Sequence, residues 1–126
     1  MVDGVSEIEK AWATLYGHNP KIQAFAVCRG SEVIWQTSNW DLVPVAEALV
    51  SAAKEATPSV TINGVSYRRI TSTPEYYVST ADDGGNFLTF LVDGTTWLLA
   101  WSTPDSVPEL TVVDLGRAAV SLIGKI

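Results

Sequence analysis

Side chains able to do chemistry are few in this 126-residue sequence. The single histidine, His18, lies in the polar turn Gly17-His18-Asn19-Pro20, and the single cysteine, Cys28, lies inside the strand-like run AFAVC. Nucleophilic catalysis needs a nucleophile within reach of a base, and a metal site needs several ligands at defined spacing. One His in a loop and one Cys in an apolar run supply neither, and Cys28 reads as a small buried hydrophobe. The adjacent carboxylates Asp82 and Asp83 lack the spaced ligands of a calcium loop and read as part of the turn Asp82-Asp83-Gly84-Gly85-Asn86. No glycine-rich phosphate loop follows a strand. The residues therefore point away from an enzyme, and they call for no cofactor and no metal.

What the chain has instead is aromatic surface, with five Trp and four Tyr. Aromatic side chains anchor many binding surfaces. Trp12 and Tyr16, one helical turn apart, form the clearest pair, although the same spacing also suits packing on a sheet. Fourteen acidic against eight basic residues give a net charge of −6, which argues against nucleic acid, whose binding rests on clustered Lys and Arg. The one tight basic pair, Arg68-Arg69, would point to opposite faces of a strand. No apolar run approaches the ~18–20 residues of a membrane span, and MVDGVSEIEK lacks a basic-then-apolar signal. With no disulfide framework, these features lead us to expect a soluble cytoplasmic protein without a transmembrane segment.

The elements that must position these residues centre on the stretch 59–102, a run of strands separated by tight turns. Strands are expected at 60–62, 66–71, 76–80, 87–92 and 96–101, with Asn63-Gly64 and Asp93-Gly94 as hairpin signals. In FLTFLV and TWLLAW apolar residues do not alternate with polar ones, so both faces of that hairpin should be dry. A sheet covered twice needs two helical layers. Ser6-Glu7-Ile8-Glu9 reads as a capping box, opening a helix with apolar positions Ile8, Ala11, Trp12, Leu15 and Tyr16. Strands at 22–28 and 32–37 follow around Arg29-Gly30-Ser31. A second helix, capped by Asn39 or Asp41 with Pro44 in its first turn, buries Val45, Ala46, Leu49, Val50 and Ala53. A last helix opens at Asp105 or Ser106 before Pro108, with an apolar stripe through Leu110, Val112, Val113, Leu115, Ala119, Leu122 and Ile123. The expectation is one α+β domain over 1–126: a central, largely antiparallel sheet, the terminal helices on one face and the middle helix on the other.

Three stretches give this chain a resemblance to the profilins, small proteins that bind monomeric actin. GSEVIWQTSNW is similar to the family's hairpin before its second helix, INGVSYRRI to its glycine-centred turn and strand, and TVVDLGRAAVSLI to its amphipathic C-terminal helix. Between Gly64 and Pro104 the spacing lies on plant-type profilins without a gap, including Pro74, Gly84, Gly85 and TTWLLAW. The thin identity elsewhere resembles that of a remote branch such as the profilins of Asgard archaea. The resemblance implies an actin-facing surface with Arg69, Thr71, Ser106, Thr111 and Asp114, and a protein that regulates polymerisation without doing chemistry. It also implies proline-rich peptides as ligands, on Trp12, Tyr16 and Trp35. Where the family's C-terminal helix supplies a histidine and a tyrosine, this chain has Arg117, Ala118, Ser121 and Lys125, so weak or altered polyproline binding is expected. The family's phosphoinositide binding draws on basic residues where this chain has Ser79, Thr80, Ala81, Asp82 and Asp83.

A roadblock or longin-type module, which dimerises or docks on small GTPases, has a similar order of elements. The extra strand pair around Asn63-Gly64 favours the profilin reading. A ligand-sensing or enzymatic domain of related fold would need a polar pocket.

Overall fold

The computed structural model describes residues 4–126. Helix α1 (Gly4–His18) leads into the hairpin β1 (Ile22–Arg29) and β2 (Glu32–Gln36), and a single turn of 3-10 helix (Val43–Val45) runs into α2 (Ala46–Glu55). Five strands follow: β3 (Ser59–Ile62), β4 (Val65–Thr73), β5 (Tyr76–Thr80), β6 (Asn86–Asp93) and β7 (Thr96–Ser102). Helix α3 (Pro108–Leu122) closes the order.

All seven strands form one antiparallel sheet in the order β2-β1-β7-β6-β5-β4-β3. The two-sided burial expected of β6 and β7 is present, because alternate residues feed separate cores. Leu88, Leu98, Ala100, Phe25 and Val27 pack with Ile8, Ala11 and Leu15 of α1 and Val112, Leu115 and Ala119 of α3. Phe87, Leu99, Trp97, Ala26 and Cys28 pack with Leu42 and with Ala46, Leu49, Ala52 and Ala53 of α2. The terminal helices thus share one face and α2 covers the other. The strand pair β3–β4 turns at Asn63-Gly64, with φ of 51° and 79°, the positive values that such a two-residue hairpin demands.

The expected helix openings differ in detail. Helix α1 is already helical at Gly4, so Ser6 lies inside it and its hydroxyl is no N-cap. Neither α2 nor α3 carries a side-chain cap. Asn39 instead donates to the Gln23 carbonyl at 2.8 Å, tying the hairpin to the loop before α2, and Ser106 is engaged with Ser102 and Asn86. The stripe expected on α3 splits in two: Val112, Leu115, Ala119 and Leu122 are buried, whereas Leu110, Val113 and Ile123 are exposed. Close packing of α3 rests on Gly116, where an added Cβ would lie 2.9 Å from Phe90 Cε2.

Candidate functional site

The three aromatic residues expected to hold a proline-rich ligand meet on one flank of α1. Trp12 stacks on Phe25 with ring centroids 5.5 Å apart and planes 12° apart. Tyr16 lies against Trp12 at 5.5 Å, and Trp35 against Phe25 at 6.0 Å. Helical spacing puts Trp12 and Tyr16 one above the other. The pairing of Trp35 with Val27 puts Trp35 on the sheet face that α1 covers. Tyr16 is 47% exposed, while Trp12 and Trp35 are half-buried. Trp12 is therefore in part a core residue, and Tyr16 is the member of the group most open to a ligand.

Helix α3 contributes nothing to that patch. It meets the other flank of α1, and between the two helices runs a groove of about 290 Å³. Its floor is Ala11, Leu15, Ala118 and Leu122, and its walls carry Lys10, Thr14, His18, Asp114, Arg117, Ser121 and Lys125. The aromatic cradle and the interhelical groove are thus separate surfaces here.

The five residues expected to face actin do not form one surface. A bulge between Arg69 and Thr71 reverses the alternation of β4, so two residues that a regular strand would place together point to opposite faces. Arg69 pairs with Ser79 on the α2 side, and Thr71 pairs with Val78 on the α1 and α3 side. Thr111 is only 2% exposed and its hydroxyl donates to the Val107 carbonyl at 3.0 Å, so it is a core residue of α3. Asp114 turns toward α1 and accepts a hydrogen bond from Asn19 Nδ2 at 3.1 Å. Ser106 is half-buried in a polar network around Asn86, whose Nδ2 donates to Ser106 Oγ at 3.0 Å, the Thr103 carbonyl at 3.2 Å and Ser102 Oγ at 3.3 Å. That network fixes the segment that launches α3.

The sequence reading missed a more coherent surface beside it. Val113 is 52% and Val120 67% exposed on the flank of α3 away from α1, while Leu110, also exposed, stands one turn before Asp114 on the outward face of the helix. Below that flank Phe90 and Tyr76 are stacked at 5.8 Å and half-buried, next to Thr73 and Thr71 of β4. The signal was present in the sequence: Leu110 and Val113 are out of phase with the core positions Val112 and Leu115, so four apolar residues within six positions exceed what one buried stripe can use.

The described residues contain no group of three or more His, Cys, Asp or Glu side chains that could hold a metal ion. Cys28 is fully buried, and burial pushes its thiol up to about 12, which leaves it protonated and unreactive. Burial likewise raises the phenols of Tyr67 and Tyr77; the latter donates to the Thr57 carbonyl at 2.6 Å. No helix of the described residues is long and apolar enough to cross a membrane.

No family model matches the chain. Thor profilin of Thorarchaeota archaeon (strain AB_25) is 40% identical over 109 residues, which cover 83% of this chain and 85% of that protein. Among solved structures, LokiProfilin2 in its complex with rabbit actin superposes with a TM-score of 0.85 at 22% identity, over 94% of this chain and 97% of its own. LokiProfilin1 alone gives 0.86 at 22% identity, over 96% and 98%. Profilin IA of Acanthamoeba castellanii gives 0.73 at 14% identity, over 88% and 92%. The sheet order, the two helical layers, the strand pair that separates this fold from the roadblock type, and the 40% identity to Thor profilin lead to one conclusion: the chain belongs to the profilin family.

Proposed function

We propose that this protein binds monomeric actin and regulates its polymerisation, acting by occupying one end of the subunit, without chemistry and without a cofactor. Membership of the profilin family carries the reading, and two structural neighbours, LokiProfilin1 and LokiProfilin2, are described in complexes with rabbit actin. The docking surface in this reading is the outer flank of α3 with the adjoining sheet: Val113, Val120, Phe90, Tyr76 and Thr71. Exposed aliphatic side chains beside stacked aromatics are the composition of an interface core, which a polar surface has no reason to display. Arg69 lies across the sheet and Asp114 lies toward α1, so both sit outside this surface. Proline-rich peptides bind weakly, because the aromatic patch has a single well-exposed ring, Tyr16, and no counterpart on α3. The acidic pair Asp82 and Asp83, with Arg68 already bound to Asp82 at 3.0 Å, gives phosphoinositides little to grip at that turn. A cytoplasmic, cytoskeletal location follows from the same function.

The test is a polymerisation assay on monomeric actin with increasing amounts of this protein, using rabbit actin and actin from the protein's own source. Saturable slowing of spontaneous polymerisation is the expected result. No effect on either actin, with no complex in analytical ultracentrifugation, overturns the proposal.

A further inference from the structure

The chain has four asparagines, and three of them are chemically sheltered. Asn19 precedes Pro20, whose nitrogen carries no hydrogen and cannot act as a nucleophile, and its own amide is bonded to Asp114 at 3.1 Å. Asn39 gives its amide to the Gln23 carbonyl at 2.8 Å, and the next residue is the bulky Trp40. Asn86 is 2% exposed and its amide donates to three acceptors. Asn63 differs in every respect. It is exposed, its side chain has no hydrogen bond among the described residues, and it is the one asparagine followed by glycine. A Cβ added at Gly64 would meet nothing within 4 Å, and the Gly64 amide donates to no other group among the described residues. Asp93-Gly94, the other tight hairpin turn, offers the same nucleophile but a carboxylate in place of the carboxamide, and an ionised carboxylate is a poor electrophile.

We propose that Asn63 is a site of spontaneous deamidation, and that the isoaspartate it forms releases the edge strand β3. The Gly64 nitrogen attacks Asn63 Cγ, passes its proton to solvent base and expels ammonia, which leaves a five-membered succinimide spanning the two residues. Water then opens the ring. Cleavage of the bond from nitrogen to Cγ gives an ordinary aspartate at position 63. Cleavage of the bond from nitrogen to the main-chain carbonyl carbon gives isoaspartate, with the chain running through the former side chain and a free α-carboxylate. One water is consumed and one ammonia lost, with no oxidant or reductant. The turn makes the second product costly. Two residues at φ 51° and 79° close β3 onto β4 in register, Ile62 opposite Val65 and Val60 opposite Tyr67. An isoaspartyl link adds one backbone atom to that two-residue loop, and a tight hairpin turn has no place for it. Strand β3 has four residues and a single neighbour, β4, so little else holds its ladder. Its release uncovers Val60 and Ile62, which pack on the α2 side of the sheet. Both products also add a negative charge to a chain of net charge −6, beside Asp82 and Asp83. The two turns are neighbours, since a Cβ on Gly84 would lie 3.1 Å from Val65 Cγ1. None of this depends on actin binding.

The experiment is incubation of the whole protein at pH 8 and 37 °C, followed by mass mapping of its tryptic peptides, among them Glu55–Arg68. Isoaspartate is scored by acceptance of a methyl group from an isoaspartyl methyltransferase. Conversion at Asn63 should run at least tenfold faster than at the other three asparagines, and should vanish from that peptide in Asn63→Gly, whose two glycines still allow the positive φ of the turn. Hydrogen exchange at the amides of residues 60–62 should show, in the aged protein, a population at least tenfold faster whose size matches the isoaspartate content. Asn63→Asp, which carries the charge on an ordinary backbone, should exchange like the fresh protein. Reaction of Asn63 no faster than that of Asn39 or Asn86 overturns the site. Slow exchange throughout the aged protein, or equally fast exchange in Asn63→Asp, overturns the release of β3 by the altered backbone.

Discussion

The indole of Trp12 lies flat on the ring of Phe25, with centroids 5.5 Å apart and planes 12° apart, so the first helix is fastened to the sheet through an aromatic stack. Tyr16, one turn further on, touches the same indole from the solvent side. Replacing Trp12 by Ala should cost about 3 kcal/mol, the lower end for a buried aromatic, because the indole is half-buried. Tyr16→Ala should cost less than about 1 kcal/mol. Urea unfolding of both variants checks the difference, and equal losses would mean that Tyr16 is as structural as Trp12.

Val113→Asp and Val120→Asp should each weaken actin binding at least tenfold, on the order of 1.4 kcal/mol, while stability changes by no more than about 0.5 kcal/mol. Thr111→Val, two positions before Val113 but buried, should leave affinity close to its original value. Titrations of labelled actin with the three variants decide it. An unchanged affinity for both aspartates would remove the outer flank of α3 from the interface.

Gly116→Ala gains about 1 kcal/mol of helix propensity but sets a methyl 2.9 Å from Phe90 Cε2. Phe90 is held from beneath by its stack on Tyr76 and has little room to yield. The collision should outweigh the propensity and leave the variant about 1–2 kcal/mol less stable. Actin affinity should fall with it, since lifting α3 shifts Val113 relative to Phe90. A stabilised Gly116→Ala protein would mean that the ring moves aside.

Thr89 is fully buried between Tyr77 and Leu99 in the sheet, and its hydroxyl has no hydrogen-bond partner among the described residues. Leaving such a group unpaired costs roughly 1–3 kcal/mol. Thr89→Val keeps the branched shape and removes the hydroxyl, so it should raise stability by about 1 kcal/mol, visible as a higher melting temperature. A drop on this substitution would reveal a water bound to the hydroxyl.

Cys28 should resist thiol reagents until the protein unfolds, and stability should fall at alkaline pH. The folded thiol is raised to about 12 from an ordinary value of 9.0, so its contribution is fully present below pH 9 and is lost as pH rises toward 12. Burial of the Tyr67 and Tyr77 phenols acts in the same direction. Cys28→Ala should flatten part of the decline in a series of denaturant titrations from pH 8 to 11; an identical slope would assign the decline to the tyrosines.

The architecture was legible because it is written in local signals: Asn63-Gly64 and Asp93-Gly94 for the turns, FLTFLV and TWLLAW for strands dry on both sides, and amphipathic stripes for three helices. The clustering of Trp12, Tyr16 and Trp35 was legible as well, through family likeness and helical spacing. The dispersal of the five residues expected to face actin was not, for two physical reasons. A single extra residue in β4 turns Arg69 away from Thr71, and no composition rule reveals a bulge at Ile70. The direction of α3 about its own axis is set by Gly116 meeting Phe90, a tertiary contact, and a rotation by one residue exchanges buried Thr111 for exposed Leu110. The caps failed for a related reason, since Asn39 spends its amide on the Gln23 carbonyl, and Ser106 spends its hydroxyl on Ser102, Thr103 and the distant Asn86.

The sheet order sets a schedule for the growing chain. Strand β1 is hydrogen-bonded along its inner edge to β7, with Ile22 opposite Ser102, so that edge has no partner until the last strand leaves the ribosome. During most of synthesis the hairpin β1–β2 exposes Phe25 and Val27, and only the β3–β4–β5–β6 meander can pair strand by strand as it emerges. Folding is then completed after translation, when β7 slots between two preformed halves, and α3 can dock only after that. A cell making this protein must keep the open edge of β1, Ile22–Arg29, from pairing elsewhere for that interval.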